Sequence, residues 1–223
     1  MEIIRMEDVS VSVNDGLRDK LIFSGLDLSV SKGEKILIKG RSGIGKTTVF
    51  RLILGFTRPS SGRIYFQGKP ADSELFWDIR KRATHISQDS DIGEGPVMAL
   101  FEEVFSYSAN HGKFDHDTLD MLLTEFSLKR EVLNKKFENL SGGEKQRISI
   151  IISLMTKKDI FLLDEITSDL DAALKTKVVD YFMANSEWTV LAISHDPEWE
   201  REGVRIIDFE NIVSNEDSVN KVN

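Results

Sequence analysis

The chain has 223 residues, 40% of them hydrophobic and 30% charged, with a net charge of −8 and a pI of about 5.1. That length admits one large domain or two small lobes, and the acidic balance argues against nucleic acid as a primary partner, because phosphate backbones attract basic faces. With no cysteine, disulfides, thiolate metal sites and thiol redox chemistry are excluded, which fits a cytoplasmic protein.

Residues 2–13 and 21–30 alternate or run apolar and predict two strands joined by a turn at Asn14-Asp15-Gly16. The opening Met1-Glu2-Ile3-Ile4-Arg5 lacks the basic flank and apolar run of a signal peptide. A short strand over Lys35–Lys39 feeds the loop Gly40-Arg41-Ser42-Gly43-Ile44-Gly45-Lys46-Thr47-Thr48, and 46–54 reads as a helix ending near Gly55. Turn signals at Pro59-Ser60-Ser61-Gly62 and Gly68-Lys69-Pro70 bound a strand over 62–67, and a further strand over 83–88 ends at Gln88. Between about 97 and 139 the β signal fades. There 97–107 and 117–126 carry apolar residues at helical spacing, which predicts an inserted helical lobe.

Ser141 then caps a helix running to about 155, with Glu144 three residues on in a capping-box pattern. Strand 160–164, helix 170–184, strand 189–194, a short helix near 197–201 and strand 204–209 complete the series. This alternation predicts an α/β fold with a mostly parallel sheet. An antiparallel β part precedes it, and a helical subdomain over about 89–155 interrupts it. One domain is expected over 1–213, followed by a polar tail over 214–223. No segment supplies the roughly 20 apolar residues that a spanning helix needs, so any membrane crossing is expected of another chain.

Three motifs carry chemistry. In the phosphate-binding loop, Gly40, Gly43 and Gly45 allow backbone N–H groups to turn inward around phosphate oxygens, and the following helix adds its positive dipole end. Lys46 is suited to neutralise the β/γ-phosphates and Thr47 to offer a hydroxyl to Mg²⁺. Ile160-Phe161-Leu162-Leu163 is a buried-strand run that ends in Asp164 and Glu165, at the end of the sheet where α/β folds place ligands. Asp164 is expected to hold Mg²⁺ through water, and Glu165 to act as general base on the attacking water. Ser141, Gly142 and Gly143 offer a hydroxyl and backbone amides at a helix start, a second anion-binding element whose bland reading is an ordinary helix cap.

In this order and spacing, with Lys46 and Ser141 95 residues apart and Asp164 23 further on, the three motifs resemble the nucleotide-binding subunit of ABC transporters. The resemblance covers about residues 3 to 210 and implies a P-loop NTPase core of the ABC ATPase type. Around Glu138-Asn139-Leu140-Ser141 and Asp164-Glu165-Ile166-Thr167-Ser168 it looks closest to bacterial cassettes proposed to export metal, notably iron. It implies ATP and Mg²⁺ as ligands, with Gly40 to Thr48 on the phosphates and the Ser141-Gly142-Gly143 turn touching ATP held by a second copy. Gln88 is implied to contact Mg²⁺ and the water, His195 to reach the γ-phosphate, and Asp171 to sit in a loop that communicates between two sites. The implied partners are a second cassette and integral-membrane transporter subunits, which would hold the chain at the inner face of the cell membrane. His85, His111 and His116 read as structural or surface residues.

Two departures stand out. No aromatic residue lies between Met1 and Leu21, so Val13 stands near where the family stacks adenine. Asp169 replaces the usual small residue in Ser168-Asp169-Leu170-Asp171. Phe101, Phe105 and Tyr107 read mainly as packing of the helical lobe, with a groove for a partner helix as the sharper alternative. Two rival functions stay open: a soluble cassette ATPase in a role such as iron–sulfur assembly, and a module that binds ATP without turnover. Intact Glu165, Gln88 and His195 argue against the second.

Overall fold

The computed structural model describes residues 1–14, 19–89 and 92–211. In chain order, β1 (Glu2–Asn14), β2 (Asp19–Ser31) and β3 (Lys35–Lys39) precede α1 (Lys46–Ile53). β4 (Ser61–Phe66), β5 (Lys69–Pro70), α2 (Ser73–Arg82) and β6 (Ala83–Ile86) follow, and then α3 (Val97–Ser106), α4 (His116–Glu125) and α5 (Gly142–Met155). The chain continues through β7 (Ile160–Asp164), α6 (Ala172–Ala184), β8 (Thr189–Ile193) and β9 (Val204–Asp208).

The strands form two sheets. One is antiparallel with order β2-β1-β4-β5; the other is parallel with order β6-β7-β8-β3-β9. The expected class, a mostly parallel α/β core beside an antiparallel part, is the observed one. Side chains of the parallel strands alternate between two hydrophobic clusters. Ile36, Ile38, Ile160, Leu162, Leu191 and Ile193 pack with β1, β2 and α1. Leu37, Phe161, Leu163, Val190 and Ala192 pack with α3 to α6. Burial on both faces is why β7 is a continuous apolar run rather than an alternating one. α5 lies deep in the second cluster and buries Ile148, Ile150, Ile151, Ile152, Leu154 and Met155 nearly all round.

Four local details differ from the sequence expectation. β6 stops at Ile86, where its pairing with Leu163 ends, so Ser87 and Gln88 leave the sheet. α2 is an unanticipated helix: Ile79 is buried, Leu75 and Phe76 pack partly buried beside it in a short stripe, and it is started by Asp72, whose carboxylate accepts from Leu75 N at 2.9 Å. The short helix near 197–201 is a 3₁₀ turn, Pro197–Trp199, with Trp199 buried. Tyr107 is exposed and donates to Glu103 instead of packing in the helical lobe, where Phe101 and Phe105 are buried as expected. Asp15 and Gly16 of the expected turn, and the 214–223 tail, lie outside the described residues. Among the described residues no helix is long and apolar enough to cross a membrane.

Candidate functional site

The C-terminal ends of β3, β7 and β8 and the start of α1 enclose a cleft of about 640 Å³. Lys46, Thr47, Gln88, Asp164, Glu165 and His195 all line it, together with Ser42, Gly43, Gly45 and Thr48. The loop can take this path because of Gly45. Its φ is +106°, and a Cβ there would stand 2.6 Å from Ile22 Cγ2 and 3.2 Å from Phe23 Cδ1. Gly45 is also the N-cap of α1 and supplies no side-chain cap, so the first amides of that helix have no side-chain acceptor from it.

Lys46 is buried, and its Nζ donates to the carbonyls of Gly40 and, at 2.9 Å, of Arg41. Thr47 Oγ1 donates to Asp164 Oδ2 at 2.6 Å, a bond between residues 117 positions apart that ties the loop to the end of β7. The next residue, Glu165, has φ +52° and its N–H donates to Ile193 O of β8 at 2.9 Å. Such a left-handed conformation at a non-glycine residue is held only by its surroundings. Burial raises the Glu165 carboxyl pKa, Asp164 and Asp196 add to the rise, and His195 and Lys46 oppose it. His195 Nε2 lies 3.6 Å from Glu165 Oε1.

Ser168, Lys175 and Asp196 also line the cleft. Lys175 of α6 pairs with Asp196, whose N–H donates to Ser194 Oγ at 3.0 Å. Burial pushes the Asp196 carboxyl up, but its bonds to Lys175 and Thr167 outweigh that and hold it below its usual range. Adjacency to His195 was the one signal for Asp196; nothing local marks Lys175, whose reach depends on how α6 crosses the sheet.

Several expected residues stand outside this cleft. Ile44 packs against the cluster shared with β1 and α1. Arg41 turns its side chain outward, 79% exposed and 3.4 Å from Glu210, while its own N–H donates to the same carboxylate at 2.9 Å. Ser141, Gly142 and Gly143 line a second concavity of about 530 Å³ with Arg147, Asp169, Leu170, Asp171 and Leu174. No residue lines both. The capping box is formed: Glu144 N donates to Ser141 Oγ at 3.3 Å, and Ser141 N to Glu144 Oε2 at 3.0 Å. That amide, helped by Lys135, holds the Glu144 carboxyl below its usual range. Asp171 caps α6 by accepting from Leu174 N at 2.9 Å. Among the described residues no cluster of three or more His, Asp or Glu could hold a metal ion.

The family model described as ABC transporter matches residues 23–168. An Escherichia coli K12 protein, the probable iron export ATP-binding protein FetA, is 30% identical over 183 residues, covering 81% of this chain and 80% of that protein. The spermidine/putrescine import ATP-binding protein PotA of Spiroplasma citri is 29% identical over 188 residues; the match covers 80% of this chain and about half, 51%, of that relative. Among solved structures, the dimeric structure of MJ0796, a bacterial ABC transporter cassette, aligns with a TM-score of 0.77 at 22% identity. It covers 93% of this chain and 95% of that one.

Proposed function

This chain belongs to the ABC transporter family, and from that premise we propose that it is an ATP-binding subunit that hydrolyses ATP, and how its residues divide the work. The observation that carries the reading is the Thr47–Asp164 bond, which joins the phosphate loop to the carboxylates at the end of β7. The amides of Gly43, Gly45, Lys46, Thr47 and Thr48, with Ser42 beside them, receive the phosphates of ATP. Lys46 exchanges the carbonyls of Gly40 and Arg41 for phosphate oxygens. Thr47, Asp164 and Gln88 offer a hydroxyl, a carboxylate and an amide oxygen, an all-oxygen set that fits a hard cation. When bound, Mg²⁺ would neutralise charge on the phosphates. Glu165 takes a proton from the attacking water as that oxygen bonds to the γ-phosphorus and the bond to ADP breaks, leaving ADP and inorganic phosphate. His195, beside Glu165 in the cleft, contacts the γ-phosphate.

The Ser141-Gly142-Gly143 turn stands apart from the cleft of its own chain, and the MJ0796 cassette is described as dimeric. Both support a site completed by the turn of a second cassette, so that ATP holds two copies together until it is cleaved. The cassette spans 1–213, with 89–155 as its helical subdomain. Adenine packs on aliphatic surface at Val13, which is exposed at one end of the β1–β2 pair. Separate membrane-spanning subunits use the closure and opening to move cargo, and the chain sits at the inner face of the cell membrane through them. Relatives named for polyamine import and for iron export match this chain at similar identity, which supports placing cargo choice in the membrane subunit. The rival role in soluble assembly draws no support from these relatives.

Replacing the base tests the reading. Glu165→Gln is expected to bind ATP, to lower phosphate release at saturating ATP by about 100-fold or more, and to double in mass by light scattering when ATP is added. Turnover close to that of the unaltered chain would overturn the assignment of Glu165.

A further inference from the structure

We propose that Asp169 and Arg41 form an ion pair between two copies of this chain when ATP closes them together. The proposal rests on the two-copy site above and names what else must meet there.

Asp169 lies against the Ser141-Gly142-Gly143 turn, the signature turn, of its own chain. A Cβ on Gly142 would stand 2.9 Å from Asp169 Oδ2, and one on Gly143 would stand 2.9 Å from the Asp169 carbonyl oxygen. These two glycines leave the room that Asp169 occupies. Its carboxylate is exposed and makes no hydrogen bond or ion pair among the described residues. The other acids around the turn are engaged. Glu144 accepts from Ser141 N and pairs with Lys135, and Asp171 accepts from Leu174 N. The cation lining the same concavity, Arg147, donates from Nε to the carbonyl of Gly143 and from one terminal nitrogen to those of Phe126 and Ser127. Asp169 is therefore a negative charge at the mouth of an anion-binding turn, without an ion-pair partner among the described residues.

A triphosphate brought to this turn meets that charge at close range, which opposes closure unless a cation arrives with it. The phosphates arrive held by the phosphate loop of the other copy, and that loop carries two cations. Lys46 is buried and directed inward. Arg41 is directed outward: its carbonyl accepts from Lys46, its N–H donates to Glu210, and its guanidinium, 79% exposed, lies 3.4 Å from that same carboxylate. Its guanidinium is the outward cation that travels with the phosphates, and its planar fork suits a carboxylate, Glu210 in the single chain and Asp169 of the other copy in the closed pair. In a two-fold pair each loop faces the other copy's turn, so the contact forms twice.

The experiment uses the full chain carrying Glu165→Gln with Mg²⁺ and ATP, and reads the dimer dissociation constant by analytical ultracentrifugation. ATP affinity is measured separately with a fluorescent nucleotide. Asp169→Asn and Arg41→Gln keep size and remove charge. Each is expected to weaken the dimer about tenfold, since two partly exposed pairs are lost. The double variant is expected to be about tenfold weaker too, rather than about 100-fold, because both changes remove one interaction. Additive losses would overturn the pair, and a dimer tightened by Asp169→Asn would show that the carboxylate only repels phosphate. A Glu165→Gln parent that stays monomeric would overturn the two-copy site itself, and the pair with it; a parent that dimerises while the two changes add would overturn the pair alone.

Discussion

Thr47→Val is the sharpest probe of the junction between phosphate loop and β7. Valine keeps the size and branching of threonine and removes one hydroxyl. That hydroxyl donates to Asp164 Oδ2 at 2.6 Å, and among the described residues the Asp164 carboxylate has no other hydrogen bond. Asp164 is only 6% exposed, so water does not readily replace the lost donor. A hydrogen bond to a charged, buried acceptor contributes about 1.5–3 kcal/mol, and stranding the acceptor forfeits an amount of that order. For a chain of this size each kcal/mol moves the melting temperature by about 2–4 °C. A loss of about 2 kcal/mol thus lowers Tm by about 4–8 °C in nucleotide-free protein. Scanning calorimetry at neutral pH measures it, with Thr47→Ser as the control that keeps the hydroxyl and melts within about 2 °C of the unaltered chain. A valine variant that melts with the unaltered chain would refute the contact. A serine variant that falls as far as valine would refute the hydroxyl as its origin.

Three further outcomes follow from the same geometry. Burial raises the Glu165 carboxyl, and a base works only when ionised, so kcat/KM should fall on acidification with a limb above the ordinary glutamate range. His195 opposes that rise, so His195→Ala should move the limb to still higher pH; a shift downward would contradict the assignment. Gly143→Ala should disturb the signature turn more than Gly142→Ala, because its Cβ meets a backbone oxygen of Asp169 whereas that of Gly142 meets a side chain able to swing away. Melting temperature and ATP-driven dimerisation read the two variants, and equal effects would contradict the packing. Val13→Tyr should raise ATP affinity over GTP by adding a stacking surface, measured by nucleotide competition; an unchanged ratio would place adenine elsewhere.

What was legible in the sequence is what local chemistry writes in consecutive residues. The phosphate loop, the apolar run into Asp164-Glu165 and the Ser141–Glu144 capping box each depend on neighbours a few positions away, and each has the expected conformation. The two-sided burial of β7 is legible because a strand between two layers has no polar face. α2 was hidden because its apolar stripe is short, Leu75 and Phe76 with Ile79, and sits among polar residues. The end of β6 was overshot because Ser87 and Gln88 continue the chain without a turn residue, and only the pairing with β7 decides where the strand stops. Lys175 with Asp196, and Asp169 against Gly142, depend on how α6 and the loop before it cross other elements. No periodicity or motif encodes that crossing.

In the proposed closed pair each ATP site is built from one copy's phosphate loop and the other copy's signature turn. Mixing two disabled chains tests it most directly. Lys46→Ala spoils the loop and Ser141→Arg spoils the turn, so each variant alone is expected to release almost no phosphate. In a mixed pair the loop of the Ser141→Arg chain meets the turn of the Lys46→Ala chain, and one intact site forms. With random pairing of equal amounts, phosphate release should return to about a quarter of the unaltered rate. Full turnover by Ser141→Arg alone would mean that a single chain completes its own site and would contradict the account, as would a mixture that stays silent.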